Sequence, residues 1–246
     1  MIRLIKKVVL LIFIAGGSYC LYGQFLSDRQ PSPYIVSNVS SLKGRMEETR
    51  YSNHLADDPF SILVLVNKQF ALEEDFRPSD LVTPNVLFSE YITDEEKYLR
   101  KEAAIALEHL FDKGAEQGFT LIATSGYRSY ETQKRVYQDF VKQLGIEAAE
   151  YRAAQPGNSE HQTGLAMDIT SAGFNYQEYQ HFGEAPGGQW VAENAHHFGF
   201  IIRYPEGKEH ITGYQYEPWH LRYVGVEEAT YIFENQLTFE EYAGKL

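Results

Sequence analysis

Cysteine is nearly missing from this sequence. Cys20 is the single thiol in 246 residues, so the chain downstream of it can form no internal disulfide and holds no cysteine nucleophile. Basic residues are scarce as well: 22 Lys and Arg stand against 34 Asp and Glu, a net charge of -12. Such a surface repels nucleic-acid phosphate and anionic lipid headgroups, which excludes nucleic acid as a partner. Internal repeats and low-complexity tracts are absent, and so is an apolar run of the ~20 residues that span a bilayer comfortably. What is present is an ordinary globular composition, 43% hydrophobic and 14% aromatic. The length holds one domain with a sizeable core, or at most two small ones.

The N-terminus differs from the rest. Arg3, Lys6 and Lys7 precede an apolar run from Val8 to Ala15, and small or aromatic residues continue it to Tyr22. This is the pattern of an export signal or a short signal-anchor, and its length leaves cleavage and retention both open. Acylation of Cys20 is disfavoured by Tyr19 before it, where lipoprotein signals carry a small residue. We therefore expect a signal or anchor over residues 1–23, a polar, aperiodic linker over 24–58 and one folded domain over 59–246. Contact with the membrane is then made only through the N-terminal segment.

Within the domain, Ser61 to Asn67 reads as a short β-rich run, and Asp80 to Pro84 as an extended segment halted by proline. Leu99, Ala103, Ala106, Leu107, Leu110 and Phe111 recur at helical spacing, with Gly118 as the stop. Phe119 to Thr124 is a strand candidate. Ser129 is placed to cap a second helix with Val136, Phe140, Val141 and Leu144 on one face and Gly145 at its end. Strands are further expected at Gly164 to Ile169, Phe200 to Arg203 and His220 to Val224, with helices near Gln189 to His197 and from Val226. Strands and helices interleave irregularly rather than as strict βαβ units, which argues for an α+β domain.

Two clusters carry chemistry: Ser159-Glu160-His161-Gln162-Thr163-Gly164-Leu165-Ala166-Met167-Asp168, and Glu217-Pro218-Trp219-His220. Together they offer two imidazoles and an acidic ligand, with a carboxylate to spare, the inventory of a hydrolytic zinc site. Spacing sets a condition. An extended chain from His161 to Asp168 would separate the two by roughly 23 Å and point them to opposite faces, so both reach one ion only if the chain turns, and Thr163-Gly164 is the place to turn. Pro218 biases Glu217 away from helix, so the second cluster is not a helical H-E-x-x-H motif. Singly, a histidine beside glycine or an acid amid apolar strand residues is more often structural than functional.

In combination, SGYRS, SEHQTGLAMD and EPWHLRYVG, in that order, resemble the VanY-type D-alanyl-D-alanine carboxypeptidases and the related L,D-carboxypeptidases, zinc peptidases of the LAS group. The resemblance runs from about Pro59 to Gly225. It implies an α+β LAS/hedgehog-type fold with a small, mostly antiparallel sheet flanked by helices, and one zinc (Zn2+). It also implies His161, Asp168 and His220 as metal ligands and Glu217 as the catalytic base. Arg128 matches the arginine that stabilises the oxyanion or holds the substrate, and Gln133 and Ser159 stand where substrate contacts are expected. The substrate so implied is the peptidoglycan stem peptide, cut outside the membrane, and the chain is expected to come from a Gram-positive bacterium. Removal of D-alanine from the tetrapeptide, an L,D-cleavage, is favoured over D,D-cleavage of the pentapeptide. An endopeptidase and a non-catalytic wall-binding module are the competing readings, and the spare carboxylate of Glu217 speaks against the second. His54, His109, His181, His196, His197 and His210 lack a carboxylate in a comparable motif and are read as structural or exposed.

Overall fold

The structure, a computed structural model, describes residues 54–172 and 179–245. The expected signal or anchor over 1–23 and most of the 24–58 linker lie outside the described residues. Among the described residues, no helix is long and apolar enough to cross a membrane.

Four strands form the central sheet: β3 (Leu121–Ser125), β4 (Ala166–Ser171), β5 (Phe200–Tyr204) and β6 (Glu217–Tyr223). Their order is β3-β4-β6-β5 and every pairing is antiparallel. A separate two-stranded ribbon joins β1 (Leu81–Val82) to β2 (Leu99–Arg100). Helix α1 (Lys101–Glu116) follows β2, and α2 (Tyr130–Leu144) follows β3. Then come α3 (Ile146–Arg152), α4 (Pro186–Asn194), α5 (Val226–Glu234) and α6 (Phe239–Ala243). A small antiparallel sheet flanked by helices is the α+β, LAS-type architecture expected from the motifs.

Side chains alternate between the two faces of a strand, and here the faces have opposite characters. Leu121, Ala123, Met167, Ile169, Phe200, Leu221 and Tyr223 join one core with α1, whose Ala103, Leu107, Leu110 and Phe111 form its buried stripe. The intervening positions place Asp168, His220, Arg222 and Arg203 on the other side. That face is buried too, with Arg203 and Arg222 both 0% exposed. Ile201, Val224, Ile232 and Phe239 form a second cluster against α5 and α6.

One reading of the sequence needs correction. Ser61 to Asn67 is not a strand, although Leu63 to Val66 are buried. Its backbone polar groups find partners elsewhere: Arg222 Nη2 donates to the carbonyls of Ile62 and Val64, and the Leu65 amide donates to Ala56. The second helix is present as expected, and its apolar face does not enter the core. Gln133 is its buried residue, Val136 and Phe140 line a cavity, and Leu144 is 42% exposed. The Ser129 cap is present, its hydroxyl accepting from the Thr132 amide at 3.3 Å.

Candidate active site

The sheet register creates the site. Asp168 on β4 and His220 on β6 are directly opposed, and opposed side chains in an antiparallel pair share a face with Cβ atoms about 5 Å apart. His220 Nδ1 lies 2.8 Å from Asp168 Oδ1. His161 arrives from a single 3-10 turn, Glu160–Thr163, which Gly164 ends in the left-handed region at φ 67°. This turn lets His161 and Asp168 meet. His161 Nδ1 is 2.7 Å from the Gly126 carbonyl; a carbonyl only accepts, so Nδ1 carries the proton and Nε2 is left as a donor of electrons, 3.4 Å from Asp168 Oδ2. Gly126 can offer its carbonyl there because it has no Cβ: one would sit 2.6 Å from the Glu96 and Tyr98 carbonyl oxygens. One ligand atom from each of His161, Asp168 and His220 lies within 4.8 Å of the others.

Burial and neighbouring charge set the protonation states. Burial pushes the His161 pKa down, and Arg128 adds to this, which favours the neutral ring a metal needs. Burial would raise Asp168, but His161 and His220 override it and hold the carboxylate well below its usual range. His220 is pushed up to about 9 against the effect of burial, by hydrogen bonds to Asp168 and Glu160. Glu217 behaves oppositely: burial, helped by Asp168, raises it to about 8 despite the charges of His220 and Arg128. Two imidazole nitrogens and one carboxylate oxygen converging on a point, each ring braced through its other nitrogen, are the donor set that zinc takes while keeping a position open. The residues fit that ion.

A cavity of about 800 Å³ opens onto this cluster, and all seven residues singled out from the sequence line it. Arg128 is held in place: Nη1 donates to Gln133 Oε1 at 2.7 Å, Nε donates to Ser125 Oγ at 3.1 Å, and Nη2 lies 3.5 Å from Asp168 Oδ2. Gln133 is braced in turn by donating from Nε2 to the Ala154 carbonyl at 2.7 Å. Its contact is thus with Arg128 as much as with the cavity. Tyr204 and Tyr214 also line the wall, their rings 4.9 Å apart.

Among the residues at the site that were not assigned from the sequence are His181 and Glu160. His181 lies on the cavity wall with its side chain 60% exposed, and no motif marks it. Glu160 is buried behind His220, its Oε2 3.3 Å from His220 Nε2. A signal for Glu160 does exist: Arg203 follows the apolar run Phe200-Ile201-Ile202 in β5, and a guanidinium buried there needs a counter-charge.

Comparison with known proteins follows the same residues. The family model described as VanY, D-alanyl-D-alanine carboxypeptidase, matches residues 96–226. The chain is 51% identical over 189 residues to YodJ of Bacillus subtilis (strain 168), covering 77% of this chain and 69% of that one. Among solved structures, LdcB LD-carboxypeptidase is 52% identical with a TM-score of 0.71, over 76% of this chain and 88% of that one. The vancomycin resistance D,D-pentapeptidase VanY, in complex with Zn(II), is 35% identical with a TM-score of 0.61, over 73% of this chain and 97% of that one.

Proposed function

The chain belongs to the VanY family of D-alanyl-D-alanine carboxypeptidases and is a carboxypeptidase of peptidoglycan peptides, and from that premise we propose a zinc-dependent hydrolysis that frees the C-terminal D-alanine of the stem. His161 Nε2, an oxygen of Asp168 and His220 Nδ1 are the ligands. The observation that carries this is their convergence within 4.8 Å beside a buried carboxylate outside the cluster. Zinc bound there supplies positive charge that polarises the scissile carbonyl and acidifies a water.

The protein's own groups do the rest. Glu217 takes the proton of the attacking water and delivers it to the departing amine nitrogen as the C–N bond breaks. In the metal-free protein burial raises this carboxyl to about 8, and a zinc ion beside it would bring it down toward the ionised form a base needs. Arg128 stabilises the oxyanion or forks onto the terminal carboxylate of the substrate, in a direction set by Gln133 and Ser125. Ser159, buried at the cavity wall, contacts the substrate.

For the bond, we favour L,D-cleavage of the tetrapeptide, in which a diamino acid precedes D-alanine. Support comes from the 52% identity to LdcB LD-carboxypeptidase against 35% to the D,D-pentapeptidase, and from the cavity of about 800 Å³ with Glu96 on its wall. A long cationic side chain needs such room, whereas a penultimate D-alanine needs only a methyl-sized recess; filling or leaving that space changes binding by ~1–3 kcal/mol. Parallel digests of pentapeptide and tetrapeptide muropeptides, read by mass spectrometry, test this. Loss of alanine from the tetrapeptide is expected. Rapid conversion of pentapeptide with tetrapeptide left intact would make this a D,D-enzyme, and shortened cross-links without free alanine would make it an endopeptidase. The domain over 59–246 acts outside the membrane, carried there by the signal or anchor of 1–23 on the 24–58 linker. Fractionation of cells expressing the full chain distinguishes tethered from released enzyme.

A further inference from the structure

We propose that Glu160 is a positioning residue of the zinc centre, which fixes the orientation and tautomer of His220, and that Arg203 and Arg222 hold it in that task. The inference rests on the zinc site proposed above. His220 turns Nδ1 toward Asp168 at 2.8 Å and Nε2 toward Glu160 Oε2 at 3.3 Å. A neutral imidazole has one N–H, and a carboxylate accepting it at Nε2 leaves the Nδ1 lone pair aimed at the point shared with His161 and Asp168. Glu160 thereby does for His220 what the Gly126 carbonyl, 2.7 Å from Nδ1, does for His161. Both rings are fixed from behind.

Glu160 has no rotational freedom of its own. Its Oε1 accepts from Arg203 Nε and Arg222 Nη1, both at 2.7 Å, which leaves Oε2 directed at His220. Arg222 spends its other donors on the carbonyls of Ile62, Val64 and Tyr223. Arg203 donates through Nη1 and Nη2 to Glu240 at 2.9 and 2.6 Å. Two carboxylates thus face two guanidinium groups, all four nearly inaccessible, with Glu160 1% and Glu240 2% exposed. The formal charges of these four cancel without the imidazole, so Glu160 meets His220 as a hydrogen-bond acceptor rather than as its counter-ion. Glu240 lies outside the 96–226 family match.

The test compares the full chain with its Glu160→Gln and Glu240→Gln variants by chelator competition for zinc and by melting of the metal-free forms. Glu160→Gln is expected to weaken zinc binding by about 10–100-fold, the usual effect of losing a group that orients a ligating histidine. Glu240→Gln disturbs the far end of the same charges without touching His220. It is expected to melt lower while holding zinc within about twofold of wild type, because Glu160 keeps its own bonds to both arginines. Wild-type affinity in Glu160→Gln, or an equal loss in both variants, overturns the proposal. A wild-type protein that binds no zinc would instead overturn the metal site itself. If Glu160→Gln does not fold, the zinc-loaded wild type decides by NMR: a slowly exchanging, downfield Nε2–H of His220 is expected, and a rapidly exchanging one overturns the proposal.

Discussion

Glu217 sits at the start of β6 opposite Tyr204, 7% exposed, in a place that penalises its charged form. That placement makes two predictions. Glu217→Ala is expected to keep its zinc but lose about 10²–10⁴ in kcat, since one carboxylate serves both proton transfers; metal analysis beside steady-state rates checks this. The second concerns the metal-free protein. The carboxyl goes from 4.5 to about 8 on folding, so between those values the folded state holds a proton that the unfolded state has released. Stability from this group is complete below pH 4.5 and is lost as pH rises toward 8. Melting of the metal-free wild type from pH 5 to 8 should fall more steeply than that of Glu217→Gln, and parallel curves would contradict the assignment.

At the scale of elements, the turn before β4 decides whether His161 and Asp168 can share an ion. Gly164→Ala places a Cβ at φ 67° and 2.8 Å from Leu81 Cδ2. A left-handed alanine costs ~1–2 kcal/mol before any clash, and thermal melting together with zinc affinity is expected to show both fall. This turn was legible in the sequence, because only a reversal reconciles a seven-residue offset with a common target. The strands around Asp168 and His220 were legible for a similar reason, each being a polar residue within an apolar alternation. Ser61 to Asn67 was misread since its apolar content resembles a strand, and nothing local reveals that Arg222, 158 residues away from Val64, takes its carbonyls. The apolar face of α2 was likewise visible, but period alone does not say whether a stripe meets a core or a cavity. Arg203 signals that some acid must answer it, but which acid does so is set by pairing between distant segments, and nothing local to Glu160 reveals it.

For the molecule as a whole, the two faces of the sheet divide the labour: one supplies a continuous apolar core and the other a buried layer of charge. Zinc binding stabilises the folded state alone, so at about 100 times Kd the ion adds ~2.7 kcal/mol. About one zinc per chain is expected on metal analysis, and a chelator should lower the melting temperature and abolish activity until zinc is returned. Full activity in the metal-free protein would refute the assignment. The buried charges also bear on how the protein is made. Glu240 accepts from Asn67 across 173 residues, and Arg222 reaches Val64 across 158, so the charged layer is closed by segments from opposite ends of the domain. Such long-range closure comes late and slows folding, because the entropy of drawing the chain together is lost before the contacts compensate it. Until then Arg203 and Arg222 stay hydrated, so the dehydration of both guanidinium groups falls to the last steps of folding.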